Sequence, residues 1–167
     1  MQPLAYYLTW STYGTRLHGD QRGSVDHEHN QVGAAWLRPN VKRERAALAS
    51  LRQAPLVLES PMRTVVAHAI RDHAAIRDWR LHALAVRSNH VHVIVDCRCA
   101  PSFPSPERVI QEFKSWGTRR LRRESQIDAD RRVWTDHGST RWINNDRSLV
   151  SAIDYVTRLQ DGPKPSR

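Results

Sequence analysis

The chain has 167 residues, 40% of them hydrophobic and 26% charged, which predicts one globular domain over residues 1–167. Its 26 Lys and Arg outnumber 17 Asp and Glu, giving a net charge of +9 that favours a polyanionic partner, above all nucleic acid. The alternative is a basic surface that only keeps the protein dispersed. No stretch approaches the roughly 20 apolar residues of a membrane span, and the N-terminus lacks signal-peptide features, so we expect a cytoplasmic protein without membrane contact.

The first half of the chain predicts one strand followed by helices. Leu4–Tyr13 is aromatic and β-branched, as strands are, and a long polar, glycine-containing loop follows. Val41–Gln53 predicts a charged, alanine-rich helix. A second helix begins near Pro61, which suits a first helical turn. We expect its buried stripe to comprise Val65, Val66, Ala69, Ile70, His73 and Ile76.

The second half predicts a hairpin, a helix, further strands and a last helix. Arg80–Arg87 and His90–Asp96 are strand-like runs joined by a short polar link, which is typical of a β-hairpin. In the next helix, Ile110, Phe113, Gly117 and Leu121 can face a core while the basic residues point elsewhere. Arg132–Asn144 predicts a second hairpin or an irregular strand pair. The last helix begins at Asp146, an N-cap residue type, and stops at Gly162-Pro163.

This order of elements predicts an α+β fold. Helices interleaved with antiparallel strands favour a sheet covered by helices on one face. The βαββαβ arrangement of the ferredoxin-like fold fits the order of elements.

Two histidines interrupt the apolar strand "HVHVIVD". Because alternate strand residues share a face, His90 and His92 point one way, and Val91, Val93 and Val95 point the other way, towards helices. Two imidazoles on one face can converge on a divalent cation or an anion. The alternative is that both lie on a solvated sheet face.

Tyr155, in "SAIDYVTRLQ" of the last helix, is a candidate nucleophile. A metal held by two imidazoles in a basic protein would take phosphate oxygens as further ligands and withdraw charge from a phosphodiester. A phenol, with a pKa of about 10, needs that help to attack phosphorus. The alternative is that Tyr155 is an ordinary residue at the boundary of the core.

The ordered set of motifs resembles the single-tyrosine HUH transposases, which comprise the insertion-sequence 200 class and the repeat-associated tyrosine transposases. "NHVHVIVD" is followed some sixty residues later by "AIDYV". The supporting matches are "YLTWSTYGTRL", "EFKSWGTRRL" and "VWTDHGSTRWINNDRSL". The resemblance covers nearly the whole chain in the correct order.

The resemblance implies an HUH endonuclease fold and a DNA-transesterifying activity. His90 and His92 would bind Mg²⁺ or Mn²⁺, and Tyr155 would attack a phosphate of single-stranded DNA. The products would be a 5′-phosphotyrosine and a free 3′-OH, and the reaction would be reversible. The implied partner is single-stranded DNA with imperfect hairpins. Insertion-sequence members act as dimers and domesticated relatives can be monomers, so a homodimer stays open.

The third metal ligand is where this chain departs from the family pattern. The family often has Gln or Asn four residues after the tyrosine, where this chain has Leu159. The glutamine here is Gln160, which an ideal α-helix would turn away from the metal. Loosening of the helix end before Gly162-Pro163 would let Gln160 act as the ligand. Asp154 or a water is the alternative.

A basic helix and the segments next to the motifs supply the candidate DNA contacts. A cation beside an aromatic ring is typical of single-strand binders. A solvated charged surface is the alternative for each of these residues. The candidates are Arg16, Lys114, Arg119, Arg120, Arg122, Arg123, Arg141 and Trp142, with His18 as a further one.

The sequence is also compatible with three other functions. The first is a domesticated, repeat-associated transposase that processes genomic hairpin repeats by the same chemistry. The second is a non-catalytic nucleic-acid-binding module on the same fold. The third is a metal-dependent nuclease in which water, rather than Tyr155, attacks the phosphate.

Overall fold

One antiparallel sheet organises the part of the chain that this computed structural model describes, residues 2–16, 40–125 and 127–159. Its strands are β1 (Ala5–Ser11), β2 (Arg80–Val86), β3 (His90–Asp96) and β4 (Ser139–Ile143), in the spatial order β2-β3-β1-β4. The helices are α1 (Val41–Ala49), α2 (Ser60–Ile76), α3 (Pro106–Glu124) and α4 (Asp146–Asp154), followed directly by a π-helical turn (Tyr155–Leu159). The expected α+β, ferredoxin-like fold is confirmed.

The larger core lies between one sheet face and helices α2 and α3. Tyr6, Leu8 and Trp10 alternate along β1 and are buried against both helices. Val91, Val93 and Val95 of β3 lie on the same face, as their alternation with the histidines predicts. Helix α3 adds Val109, Ile110, Phe113 and Leu121. The prediction that the valines face helices is confirmed.

The end of α2 differs from the predicted stripe. Val66, Ala69, Ile70 and His73 are buried, but Ile76 is 64% exposed. The chain leaves the helix directly after Ile76 and turns back, so that the ring of Trp79 is buried and packs edge-on against His73 at 5.5 Å. Trp79 therefore fills the part of the core that the periodicity assigned to Ile76.

The segment before β4 does not form the hairpin that its sequence suggested. Trp134 bridges to Thr12, and the Thr135 amide donates to the Ser11 carbonyl at 3.1 Å. Strand β4 then pairs with β1 as well. Both pieces therefore extend along β1 rather than pairing with each other.

Helix α4 and the π turn pack on the opposite face of the sheet. Asn145, rather than Asp146, caps α4, since its side chain accepts a hydrogen bond from the Ser148 amide at 2.9 Å. Leu149, Ala152, Ile153 and Val156 form the apolar stripe of the helix and turn, and their sheet partners are Ala5, Ala83, Ile94 and Ile143. Helices therefore cover both faces of the sheet, not one face as expected, and the C-terminal helix lies on the face that carries the histidines.

Candidate functional site

The histidine pair lies on the face of strand β3 opposite the valines, as predicted, and α4 packs on that same face. The ring centroids of His90 and His92 are 4.7 Å apart, and the ring planes are nearly perpendicular. His92 is buried, whereas His90 is partly exposed. The pair therefore forms one nitrogen-rich spot with access to solvent at the hairpin end of the strand.

Hydroxyl groups of strand β1 hold the His92 ring in place. Thr9 is the cross-strand partner of His92, and its Oγ1 lies 2.8 Å from His92 Nδ1. The Tyr7 hydroxyl lies 3.0 Å from the same nitrogen. For His90, the Asn89 side-chain oxygen lies 2.6 Å from Nδ1. Such contacts fix the orientation of a ligating imidazole, with Nε2 as its ligating atom.

Sequence reasoning missed the roles of Tyr7 and Thr9. The alternation in "YYLTWS" places both on one face of β1, but it does not show which strand lies next to them. The register of β1 against β3, which the antiparallel pairing sets, puts Thr9 opposite His92. The sequence therefore indicated only that Tyr7 and Thr9 share one face of β1.

Burial keeps the His92 imidazole neutral. Desolvation, with the positive charges of His90, Arg87 and Arg16 adding to it, lowers the pKa of His92 from 6.5 to about 3. The neutral imidazole is the form that binds a metal, so protons do not compete for this nitrogen near pH 7. The same effect shows that Arg16 and Arg87 bring positive charge to the histidine pair.

Tyr155 lies on the same sheet face as the histidines. Its neighbour Val156 is buried in one cluster with Ile94, two residues beyond His92 along β3. Tyr155 itself is 46% exposed. The fold thus brings the tyrosine helix to the histidine face and leaves the phenol accessible.

Exposure also separates Tyr155 from the other three tyrosines of the chain. Tyr6 and Tyr13 are buried, and the Tyr6 hydroxyl donates to the Pro104 carbonyl at 3.0 Å. The Tyr7 hydroxyl contacts His92. Of the four, Tyr155 is the one whose phenol a polymeric substrate could approach most freely.

The helix changes its hydrogen-bonding pattern at Tyr155. Residues Tyr155–Leu159 form a π turn, in which carbonyls bond amides five residues on rather than four. Turns of this kind are frequent at functional sites. The candidate ligand Gln160 lies outside the described residues. Among those described, His, Cys, Asp and Glu form no group of three that could hold a metal ion.

The assignment of Lys114 to DNA contacts is wrong. Its side chain is buried, and Nζ donates to the carbonyls of Thr135 at 2.7 Å, Asp136 at 3.3 Å and His137 at 3.1 Å. Burial lowers the pKa of Lys114 to about 8. The ammonium therefore joins α3 to the segment before β4, and it cannot reach a ligand at the surface.

The other basic residues of α3 lie away from the histidines, because α3 covers the opposite sheet face. Arg119, Arg122 and Arg123 are exposed near the helix end. Arg120 forms ion pairs with Asp72 of α2 and, at 3.0 Å, with Glu124. These residues could contact DNA only on a surface distinct from the histidine site.

Arg141 and Trp142 do not form one joint surface. As consecutive strand residues they point to opposite faces. Arg141 pairs with Tyr7 on the histidine face, while the Trp142 ring lies 6.4 Å from that of Tyr6 on the α3 face. Trp142 is 55% exposed at the edge strand β4. Each remains a separate candidate for DNA contact.

The described helices include none that is both long and apolar enough to cross a membrane. The longest of them, α3, carries a buried lysine and several arginines.

Solved structures are similar to this one, and two of them serve as examples. The first is a REP-associated tyrosine transposase bound to a REP hairpin, with a TM-score of 0.53, 13% identity and coverage of 93% of this chain and 66% of that chain. The second is a protein of Deinococcus radiodurans R1 described as a transposase, with a TM-score of 0.52, 14% identity and coverage of 93% and 90%. This chain spans slightly less than two thirds of the first. At these identities the likeness establishes the fold.

The sequence itself matches a known family. No curated protein matches the chain. A family model described as "Transposase IS200 like" matches residues 50–154, which include α2, the hairpin with both histidines, α3 and α4. Because that match covers more than half of the chain, the chain belongs to the IS200-like transposase family.

Proposed function

We propose that this protein cleaves and rejoins single-stranded DNA next to imperfect hairpins, through a 5′-phosphotyrosine intermediate on Tyr155. The observation that carries the proposal is the packing of Val156 and α4 onto the sheet face of His90 and His92. Family membership supports a transposase role. The similar structure whose protein is bound to a REP hairpin supports hairpin DNA as the partner.

The reaction is a transesterification at phosphorus. The Tyr155 phenolic oxygen forms a bond to phosphorus as the bond from phosphorus to the DNA 3′ oxygen breaks. The phenol gives up its proton, and the departing 3′ oxygen takes one up. The strand then carries a free 3′-OH and a 5′ end joined to Tyr155. No energy source is needed for rejoining, because the 3′-OH can attack the phosphotyrosine in reverse.

The residues present fit a divalent cation. His90 and His92 offer two nitrogens on one face, and His92 is neutral and oriented through Nδ1. Mg²⁺ or Mn²⁺ would supply charge withdrawal from the scissile phosphate. Imidazole suits Mn²⁺ better than Mg²⁺, which prefers oxygen ligands. We therefore expect Mn²⁺ to support cleavage at lower concentrations than Mg²⁺.

Gln160 stays the proposed third ligand. The departure from the family pattern is one extra residue between the tyrosine and the glutamine. A π turn relates residues five apart, which is the separation of Tyr155 and Gln160. The turn seen over Tyr155–Leu159 therefore supports Gln160, whereas a regular α-helix would favour position 159.

Covalent capture tests the proposal directly. The protein is incubated with single-stranded DNA from the flanks of its own gene and Mn²⁺ or Mg²⁺, and adducts are resolved on a denaturing gel. We expect the wild type to form an adduct and Tyr155→Phe to form none while keeping its hairpin affinity. His90→Ala and His92→Ala should also lose the adduct without losing hairpin affinity.

Tyr6→Phe is the matched control, because it removes another phenol of β1, one that lies on the α3 face and donates to the Pro104 carbonyl rather than contacting a histidine. It should retain the adduct. Equal adduct formation by Tyr155→Phe would exclude Tyr155 as the nucleophile. Hydrolysed ends without an adduct would instead identify a metal-dependent nuclease. Hairpin binding without any cleavage would identify a non-catalytic module.

A further inference from the structure

Arg87 lies at the tip of the β2–β3 hairpin, directly opposite His90. The pairs Ala85–His92 and Val86–Val91 end the ladder between the two strands. The Arg87 amide then donates to the His90 carbonyl at 2.8 Å. Arg87 and His90 are therefore cross-strand neighbours, although neither the motif nor the helix pattern singles out Arg87.

The alternation along β2 sets the face on which Arg87 lies. Ala83 and Ala85 belong to the apolar cluster beneath α4, and Leu84 and Val86 pack against the opposite core. Arg87 continues the series of Ala83 and Ala85, so it belongs to the face of the histidines and of the tyrosine helix. It is half-buried there.

The positive charge of Arg87 acts on the histidine pair. It contributes to keeping the neighbouring His92 neutral. A planar guanidinium matches the oxygens of a phosphate, to which it can donate two parallel hydrogen bonds.

We propose that Arg87 binds a non-bridging oxygen of the phosphate that Tyr155 attacks. The inference rests on the proposed function and adds a substrate contact to it. Arg87 approaches the phosphate from the hairpin tip, and the two histidines lie next to it on β3. The guanidinium neutralises charge that grows on the phosphate oxygens as the phenol oxygen bonds to phosphorus.

The test measures binding separately from cleavage. In Tyr155→Phe protein, hairpin oligonucleotides that each carry one neutral methylphosphonate linkage are titrated and followed by fluorescence anisotropy. We expect neutralisation of one linkage to weaken binding about tenfold, the size of a lost charge-assisted hydrogen bond. When Arg87→Gln is added to Tyr155→Phe, neutralising that one linkage should no longer weaken binding, while the effects of the other linkages should stay the same. With Arg87→Lys, neutralising it should still weaken binding in part.

Arg80→Gln is the control, since Arg80 is an exposed arginine at the other end of the same strand, roughly 20 Å away. Arg80→Gln should leave the binding loss at every methylphosphonate linkage unchanged. The wild-type adduct identifies the linkage that joins to Tyr155. Suppose that an adduct forms, but Arg87→Gln removes the binding penalty at no linkage, or at a linkage other than the one that joins to Tyr155. The Arg87 assignment is then overturned, and the proposed function stands.

The opposite failure gives a different result. If the wild type forms no adduct with any flank DNA, the proposed function fails. If Arg87→Gln still removed the binding penalty at one linkage, this would show only that Arg87 contacts a phosphate. The assignment of Arg87 to the attacked phosphate would be overturned as well. Thermal unfolding of Arg87→Gln excludes a folding defect as the cause of any loss.

Discussion

Two hydroxyl groups of β1 hold the His92 ring in one orientation, which its proposed role as a metal ligand requires. The Thr9 hydroxyl is the closer of the two at 2.8 Å from Nδ1, and Tyr7 lies at 3.0 Å. The alternation of one strand predicts the face of His92, but the partners of its ring come from a strand more than eighty residues earlier. Single-strand patterns carry no register, so these contacts could not be predicted.

Replacing Thr9 by Val should weaken metal binding about tenfold, because the isosteric side chain keeps packing but cannot contact Nδ1. Mn²⁺ affinity by isothermal titration calorimetry measures this without DNA or turnover. Thr140→Val is the matched control, since Thr140 lies opposite Leu8 on the other sheet face. An unchanged Mn²⁺ affinity for Thr9→Val would show that the hydroxyl does not position the ring.

Among the elements, α3 shows both the strength and the weakness of helical periodicity. The predicted core positions Ile110, Phe113, Gly117 and Leu121 are all buried. Lys114 follows Phe113 and lies one turn after Ile110, so geometry places it at the edge of the buried stripe. Its charge suggested solvent, yet three backbone carbonyls of a distant segment surround its ammonium. The periodicity of α3 does not show that residues 135–137 pass next to Lys114.

Lys114→Met should lower the free energy of unfolding by about 2 kcal/mol. The methionine fills similar space, but the carbonyls of residues 135–137 lose their donor in a buried setting. Urea unfolding measures the change, and Arg119→Met on the exposed side of the same helix should stay within about 0.5 kcal/mol of the wild type. Equal stability of the two variants would mean that water satisfies the carbonyls as well as Lys114 does.

The π turn is the element that the sequence predicted least well. The segment "AIDYVTRLQ" has the periodicity of an ordinary helix, and only the following Gly-Pro hinted at a loose end. Val156, which lies within the turn, packs in one cluster with Ile94 and Ala83 of the sheet. Local propensity carries no information about that contact.

For the whole molecule, the order of the elements was sufficient to predict the fold. A strand, helix, hairpin, helix and strand in this sequence form a ferredoxin-like sheet, because short connections and right-handed crossovers leave few alternatives. The order could not show that α4 would cross to the second face. That placement separates the molecule into a histidine–tyrosine face and an α3 face that carries exposed arginines.

We propose that the two faces have different functions. Arg119, Arg122 and Arg123 of α3 bind the DNA hairpin, and the histidine–tyrosine face cleaves the strand. Replacing all three by Gln should lower hairpin affinity and reduce the slope of log affinity against log salt by about two to three, because about three phosphate contacts are lost. The rate of adduct formation at saturating DNA should not change, since α3 is remote from His92 and Tyr155.

A second triple variant distinguishes direct contacts between α3 and DNA from the general attraction of DNA to a positively charged protein. Lys42→Gln, Arg45→Gln and Arg52→Gln together remove the same charge from other exposed positions. If the basic surface acts only through the net charge of +9, both triples should lose affinity equally. We expect the α3 triple to lose markedly more, and a slower adduct rate at saturating DNA in that variant would contradict the division between the two faces.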